Sequence, residues 1–309
     1  KPLAAGFALF GLLASSVGTP LVQSNTIAMS VNDAVLLFLP KAEQRTVCII
    51  AGAATAALVG IVILGGIQRI GKASEIIVPF MAIGYIAICI IVLSRFGGRI
   101  LPAFCDIFSG ALGIKQAVGG AAGFGAARAL RIGMARGVYS NEAGVGSAPM
   151  AHACANTNDP VKQGMYGIFE VFADTIVMCT MTALVVLASG IPLQAGGEIS
   201  GTSIALRAFS TVLPERTTGI FLAVSMLLFA YTSLLGWAVY GMQCAKYLFG
   251  KRAQVPFCIL YTVLTFAGAL MKVDFVWTAG ETLNYLMAAP NMLALLVLNR
   301  EVRRETAFA

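Results

Sequence analysis

Long apolar runs separated by short polar joints dominate the chain. The runs at 46–66, 76–93 and 276–298 are long enough to cross a hydrocarbon core of about 30 Å at about 1.5 Å per residue. Runs with more polar positions lie at 3–30, 164–189, 218–246 and 255–271, and an interrupted, glycine-rich one extends from about 107 to 150. About eight spans joined by short loops predict an all-α polytopic membrane protein, with residues 1–309 as a single transmembrane domain.

Composition agrees with that class. Hydrophobic residues make up 58% of the chain and charged residues 11%, against about 25% charged in soluble domains. The mean hydropathy is +0.85. The net charge of +7 matters through its distribution. If Lys1 starts in the cytoplasm and eight spans alternate, most Lys and Arg residues fall inside, so both termini are expected to be cytoplasmic. The Arg95/Arg99 pair runs against this bias. Nothing interleaves basic and aromatic residues as a nucleic-acid surface would. The chain opens on Lys1-Pro2 and enters an apolar run directly, leaving no room for a signal peptide, so an N-terminal truncation is expected.

The seven cysteines show no C-x-x-C spacing, and most sit within apolar runs, where Cys behaves as a small hydrophobe. His152 is the only histidine and has no ligand-spaced partner, so neither a transition-metal site nor a disulfide framework is indicated.

Polar chemistry enters the apolar pattern in four places. The most informative is Arg136-Gly-Val-Tyr-Ser-Asn-Glu-Ala-Gly-Val-Gly-Ser147. Lipid tolerates no unpaired backbone, so such a stretch at membrane depth must be buried in protein or line a wet cavity. A discontinuous helix there presents half-helix ends to an ion or zwitterion; the alternative is a Gly/Ser-rich cytoplasmic loop. The glycines at 119, 120, 123 and 125 read as close helix contacts. Gln23 and Thr26 share a helix face just after Pro20, as ligand-facing groups or as interhelical hydrogen bonds.

Glu170 and Asp174 lie four apart on one face. A structural ion pair with Arg128, Arg131 or Arg136 near the cytoplasmic side is preferred over a proton relay or acid/base pair. Thr232 and Ser233 are adjacent hydroxyls in an apolar helix. They either bond back to their own i−4 carbonyls or offer hard oxygens to an alkali cation. Trp237, one turn beyond Ser233, is unusual at mid-span and suits the wall of a small pocket.

With those stretches in view, the chain resembles the alanine or glycine:cation symporter family, the bacterial and archaeal sodium:alanine symporters. The matching segments are Val22-Gln23-Ser24-Asn25, Gly65-Gly66-Ile67-Gln68-Arg69-Ile70, Ile77-Val78-Pro79-Phe80-Met81-Ala82 and the block 136–149. Asp174-Thr175, Cys179-Thr180, 232–237 and 284–291 follow in order.

The resemblance implies a LeuT-like inverted-repeat core, in which two five-helix repeats are related by an axis in the membrane plane. On that template the chain runs from the third to the tenth core helix, lacking the first two. Carried over by position, Gln23, Tyr139, Asn141 and Trp237 would line the substrate site, and Thr232 and Ser233 would bind sodium. Tyr139 stands where the family usually has Phe, Ser233 where Thr is frequent, and Glu281 where Asp is common.

The function this implies is sodium-coupled symport of a small neutral amino acid, alanine or glycine, by alternating access. It implies a multi-pass protein of the plasma (inner) membrane, with sodium as coupling ion and no bound cofactor. The alternatives are proton coupling, a non-transporting fragment or a passive channel-like protein. An intramembrane enzyme is disfavoured, since no Ser/His, paired mid-membrane Asp or zinc arrangement is present.

Overall fold

The structure, a computed structural model, describes residues 2–111, 122–192 and 201–306. Gly119, Gly120 and Lys115 lie outside the described residues, as does the side chain of Arg128.

Thirteen α-helices follow one another among the described residues. They are α1 (Pro2–Leu13), α2 (Thr19–Phe38), α3 (Gln44–Ile63), α4 (Gly66–Ser94), α5 (Gly97–Ala111), α6 (Ala122–Asn141) and α7 (Ala148–His152). After these come α8 (Pro160–Val171), α9 (Thr180–Ser189), α10 (Gly201–Phe209), α11 (Glu215–Phe249), α12 (Gln254–Gly268) and α13 (Val273–Thr306). Two π-helical segments, Ala14–Gly18 and Phe172–Cys179, join α1 to α2 and α8 to α9.

Among the described residues, six helical runs are long and apolar enough to cross a membrane: Pro2–Phe38, Gln44–Ile63, Gly66–Ser94, Pro160–Ser189, Glu215–Phe249 and Phe275–Thr306. Two of the eight expected spans differ. The run at 255–271 forms α12, only 15 residues long, which rises about 22 Å at 1.5 Å per residue. The run at 107–150 is divided among α5, α6 and α7.

The first π-helical segment has a local cause. Pro20 has no N–H and cannot bond the carbonyl four residues back. Ser15 Oγ donates to Gly11 O at 2.7 Å and Ser16 Oγ to Leu12 O at 2.7 Å, competing with the backbone ladder. An inserted residue absorbs the mismatch, as π-bulges do. Gly280 of α13 backs the segment: a Cβ on Gly18 would lie 3.5 Å from Gly280 Cα.

The chain is organised as two compact units, Lys1–Met81 with Gly144–Ile168 and Ala223–Ala309, and Ala82–Ala143 with Phe169–Leu222. In the first, α2 packs on α3 and α12, and α1 on α13. Its main core gathers Ile27, Val59, Ile63, Tyr231, Leu234, Leu235, Phe257 and Tyr261. Tyr261 is fully buried and donates its hydroxyl to Leu234 O at 2.7 Å, so this helical carbonyl gains a bond where water is excluded.

The end of α12 is the tightest joint of that unit. Asn25 Nδ2 donates to Gly268 O at 3.1 Å, a carbonyl that also accepts the Met271 N–H at 3.2 Å, and to Met271 O at 2.8 Å just beyond the helix. A Cβ on Gly268 would sit 2.5 Å from Leu21 Cα, so only glycine permits this backbone approach.

The second unit is built on Tyr85, Phe209 and Phe221, whose ring centroids lie 5.8–6.2 Å apart. Cys89, Val92, Val185 and Ala188 are buried around them. Tyr85 Oη and Thr182 Oγ1 share a hydrogen bond at 2.8 Å. Arg99 Nη1 donates to Ala188 O at 3.3 Å beside Gly190, which ends α9 at φ +71°. A cation at a helix C-terminus is favourable, which gives Arg99 a structural employment independent of topology.

Replacing Gly268 by Ala is expected to destabilise the first unit by about 1–3 kcal/mol through overpacking. Gly71→Ala, where no atom lies within 4 Å of the added methyl, is the control. Thermal unfolding of the two variants in detergent checks this, and equal midpoints would refute the close approach. Asn25→Leu is expected to cost about 1–3 kcal/mol in the same assay, since the α12 carbonyls lose their donor.

Candidate functional site

The stretch singled out from sequence is where helix geometry fails. α6 stops at Asn141, and the Ala143 N–H bonds back to Val138 O at 3.2 Å, the closing bond of a Schellman cap. That cap demands a left-handed residue, and Glu142 fills it at φ +50° where glycine is usual. Gly144 at φ +74° and Gly146 at φ +90° carry the chain onward, until Ala148-Pro149 opens the short α7. The result is a discontinuous helix, with the chain passing from the second unit to the first between Ala143 and Gly144.

In the first unit, α13 holds the outgoing half of this break. Asn291 Nδ2 donates to Gly144 O at 3.0 Å. A Cβ on Gly146 would lie 2.6 Å from Asn291 Cγ and 2.9 Å from Phe7 Cε2, so the glycine is needed for space as well as for its positive φ. Val145 and Ser147 are buried.

Trp237 belongs to the same locality. It is buried, packed with Ala14, Val145 and Met287 and flanked by Phe7, Phe10 and Leu283. Tyr240 meets it edge-on at 5.4 Å. The indole thus shares one buried cluster with Ala14 of the first π-helical segment and Val145 of the broken stretch of the same unit.

Thr232 and Ser233 adopt the locally bonded arrangement. Thr232 Oγ1 donates within range of Phe229 O at 2.9 Å and Leu228 O at 3.0 Å, and Ser233 Oγ donates to Phe229 O at 3.0 Å. Both oxygens keep lone pairs that can accept a cation. Gln23 is half-buried on α2, and its amide bonds no described residue. Ile27, one turn further along that face, joins the cluster containing Leu234 and Leu235 of α11. A cavity lined by residues 63–68 with Met242, Gln254, Val255 and Cys258 includes none of the expected site residues.

Tyr139 and Asn141 belong to the second unit. Asn141 Oδ1 accepts from Thr175 Oγ1 at 2.7 Å and its Nδ2 donates to Gly137 O at 3.0 Å. Tyr139 is half-buried in the same turn. Asp174 departs from the expected ion pair: Ser140 Oγ donates to its Oδ2 at 2.8 Å. It also stands at the middle of the 30-residue run Pro160–Ser189, not at its edge, because helix begins at Pro160 instead of 164. His152 takes Gln163 as partner, Nδ1 to Nε2 at 2.7 Å. Among the described residues no group of three or more His, Cys, Asp or Glu could hold a metal ion.

The sequence pattern alone assigns Asn25 and Asn291 no task of their own. A carboxamide inside an apolar helix is the available signal, strengthened at Asn291 by the preceding Pro290.

Comparison with known proteins adds the family context. The family model described as the sodium:alanine symporter family matches residues 1–307. The sodium/alanine symporter AgcS of Methanococcus maripaludis is 38% identical, over 99% of this chain and 64% of its own length. An uncharacterized transporter of Haemophilus influenzae is 35% identical, over 98% of this chain and 64% of its own length. The sodium/proton-dependent alanine carrier protein of Bacillus sp. (strain PS3) is 29% identical, over 93% of this chain and 65% of its own length. The chain thus spans somewhat under two thirds of each.

The break itself yields a paired prediction. Glu142→Gly relieves a left-handed side chain and should stabilise the protein by about 1 kcal/mol. Asn291→Ala removes the donor to Gly144 and should cost about 1 kcal/mol, with faster amide exchange confined to residues 144–148. Thermal unfolding and hydrogen exchange read the two effects. A destabilised Glu142→Gly would show that the carboxylate contributes more than its backbone costs.

Proposed function

The chain belongs to the sodium:alanine symporter family, a family of transporters and not of enzymes, and from that premise we propose that it carries out sodium-coupled symport of a small neutral amino acid. The substrate class is alanine or glycine, moved by alternating access across the plasma (inner) membrane, with both ends of this chain cytoplasmic. The proposed framework is the LeuT-like inverted repeat, of which this chain holds the third to tenth core helices.

The observation that carries the reading is the left-handed break between α6 and α7 inside a largely apolar protein. Irregular backbone at membrane depth persists where it serves a buried or wet site, and half-helix ends suit a zwitterion's opposite charges. Gln23, Tyr139, Asn141 and Trp237 are the proposed substrate residues. Thr232 and Ser233 are the proposed sodium ligands, through lone pairs left after their hydrogens go to helix carbonyls. Trp237 lies in a cluster with Val145, against which Phe7 and Phe10 pack, which supports a small substrate side chain.

Sodium moving inward through 100 mV releases about 2.3 kcal/mol per charge, to which its concentration gradient adds. Ion and substrate couple because each stabilises the other's site, a reciprocal linkage.

In proteoliposomes of the protein carrying this chain, radiolabelled alanine uptake should require an inward sodium gradient. Equal uptake with choline in place of sodium would sink sodium coupling, and uptake restored by a proton gradient would establish the other ion. Trp237→Ala should lower discrimination between alanine and leucine by about tenfold or more; unchanged selectivity would remove Trp237 from the site.

A further inference from the structure

The cavity that includes none of the expected site residues lies entirely within the first unit. It opens where the run Gln44–Ile63 ends and the run Gly66–Ser94 begins, beside the start of α12. A helix of 20 residues such as α3 rises about 30 Å, the thickness of the hydrocarbon core. The cavity therefore sits at a boundary between hydrocarbon and water.

Its volume is about 360 Å³, within the range of about 300–1,000 Å³ that small-molecule sites occupy. Ile63, Met242 and Cys258 give it a buried apolar floor. Gln68 and Val255 are exposed at its mouth and Gln254 is half-buried there. The amides of Gln68 and Gln254 bond no described residue.

A guanidinium stands at the same mouth. Arg69 lies across Gly65, where an added Cβ would collide with Arg69 Nε, and its Nη1 donates to Ile61 O at 3.0 Å. That bond uses one of the fork's five N–H donors. Lys72 follows on α4, Lys246 lies one turn beyond Met242 on α11, and Lys251 and Arg252 form the short 3₁₀ turn into α12. All five basic side chains are exposed, and none forms an ion pair with a described residue. Glu75 is the one acidic residue in 44–81 and 223–272, so the mouth is strongly positive.

Below the mouth the surface turns apolar. Leu58 and Ile61 of α3 and Val255 and Ile259 of α12 are exposed, on two helices that pack together. Each pair is three or four residues apart and shares one helix face. Val255 belongs to both the cavity and this flank. A free phosphate would meet the charge without the flank, whereas a lipid meets both.

We propose that the cavity binds the phosphate headgroup of an anionic phospholipid, whose acyl chains lie along α3 and α12. Arg69 is the bidentate donor to the phosphate oxygens, and Gln68 and Gln254 are neutral donors beside it. Lys72, Lys246, Lys251 and Arg252 supply the surrounding positive field, as in other basic pockets between membrane helices. The site goes beyond the symport reading and rests only on the chain's place in a membrane.

The test is lipid binding to the delipidated, detergent-purified protein carrying this chain, read by native mass spectrometry. Dioleoylphosphatidylglycerol should bind about tenfold or more tightly than dioleoylphosphatidylcholine. Arg69→Gln should weaken the anionic lipid by about tenfold, and Lys251→Gln with Arg252→Gln by about twentyfold. Val255→Trp should weaken it without any change of charge, by filling the mouth. Arg300→Gln with Arg303→Gln, at the exposed end of α13, should leave it unchanged. If Arg69→Gln does not fold, the exposed Lys251/Arg252 pair and Val255→Trp decide. Unaltered affinity in those two variants, equal binding of both lipids, or an equal loss in the α13 control would overturn the site. Displacement of the lipid by an equal concentration of glycerol 3-phosphate would overturn it too, identifying a free phosphate ester as occupant. Each of these failures leaves the symport reading intact.

Discussion

Everything distinctive in this protein follows from one constraint: a peptide group removed from water must find its hydrogen bond inside the protein. A regular helix meets that demand by itself, and most of the chain is regular helix. At several places where the helix departs from regularity, a polar side chain serves the departure. Ser15 and Ser16 serve the segment before Pro20, Asn25 the end of α12, Arg99 the end of α9, and Asn291 the break at Gly144.

The constraint also separates the irregular places into two kinds. At the end of α12, Asn25 donates to two carbonyls and glycine packs against backbone, so the joint is closed. The break after Asn141 is different. It keeps a carboxylate-bearing residue in a left-handed conformation that glycine would adopt at lower cost. Strain retained at such a point is explained when the side chain or the backbone direction has work beyond folding. The buried indole of Trp237 shares one cluster with Ala14 and Val145, so the first unit's half of the break and its π-helical segment lie in one packed core. A shift in either can therefore reach the other through packed atoms.

How much of this was legible in the sequence depends on whether the cause is local. The helix break was readable, because Asn-Glu-Ala-Gly-Val-Gly combines a helix-ending carboxamide with two glycines free to take positive φ. The long apolar runs were readable from hydropathy alone. The π-helical segments were not, since an inserted residue leaves the apolar pattern nearly unchanged and is fixed by hydroxyls bonding back along the helix. The ion pair expected for Asp174 was inferred from which charges exist, whereas its actual partner depends on helix phase. Ser140 and Asp174 are 34 positions apart, and no one-dimensional rule brings them together. The partner of Arg99, a carbonyl at the end of α9, was hidden for the same reason.

The hydroxyls proposed as sodium ligands then illustrate what a releasable ion site requires. Thr232 and Ser233 place their hydrogens on carbonyls of their own helix, which holds the oxygens still and leaves their lone pairs outward. Such oxygens need no rearrangement to accept a cation and suffer no buried-donor penalty when it departs. A carboxylate such as Asp174 differs, because its charge must be matched whatever stands beside it, and here one neutral hydroxyl, that of Ser140, donates to it.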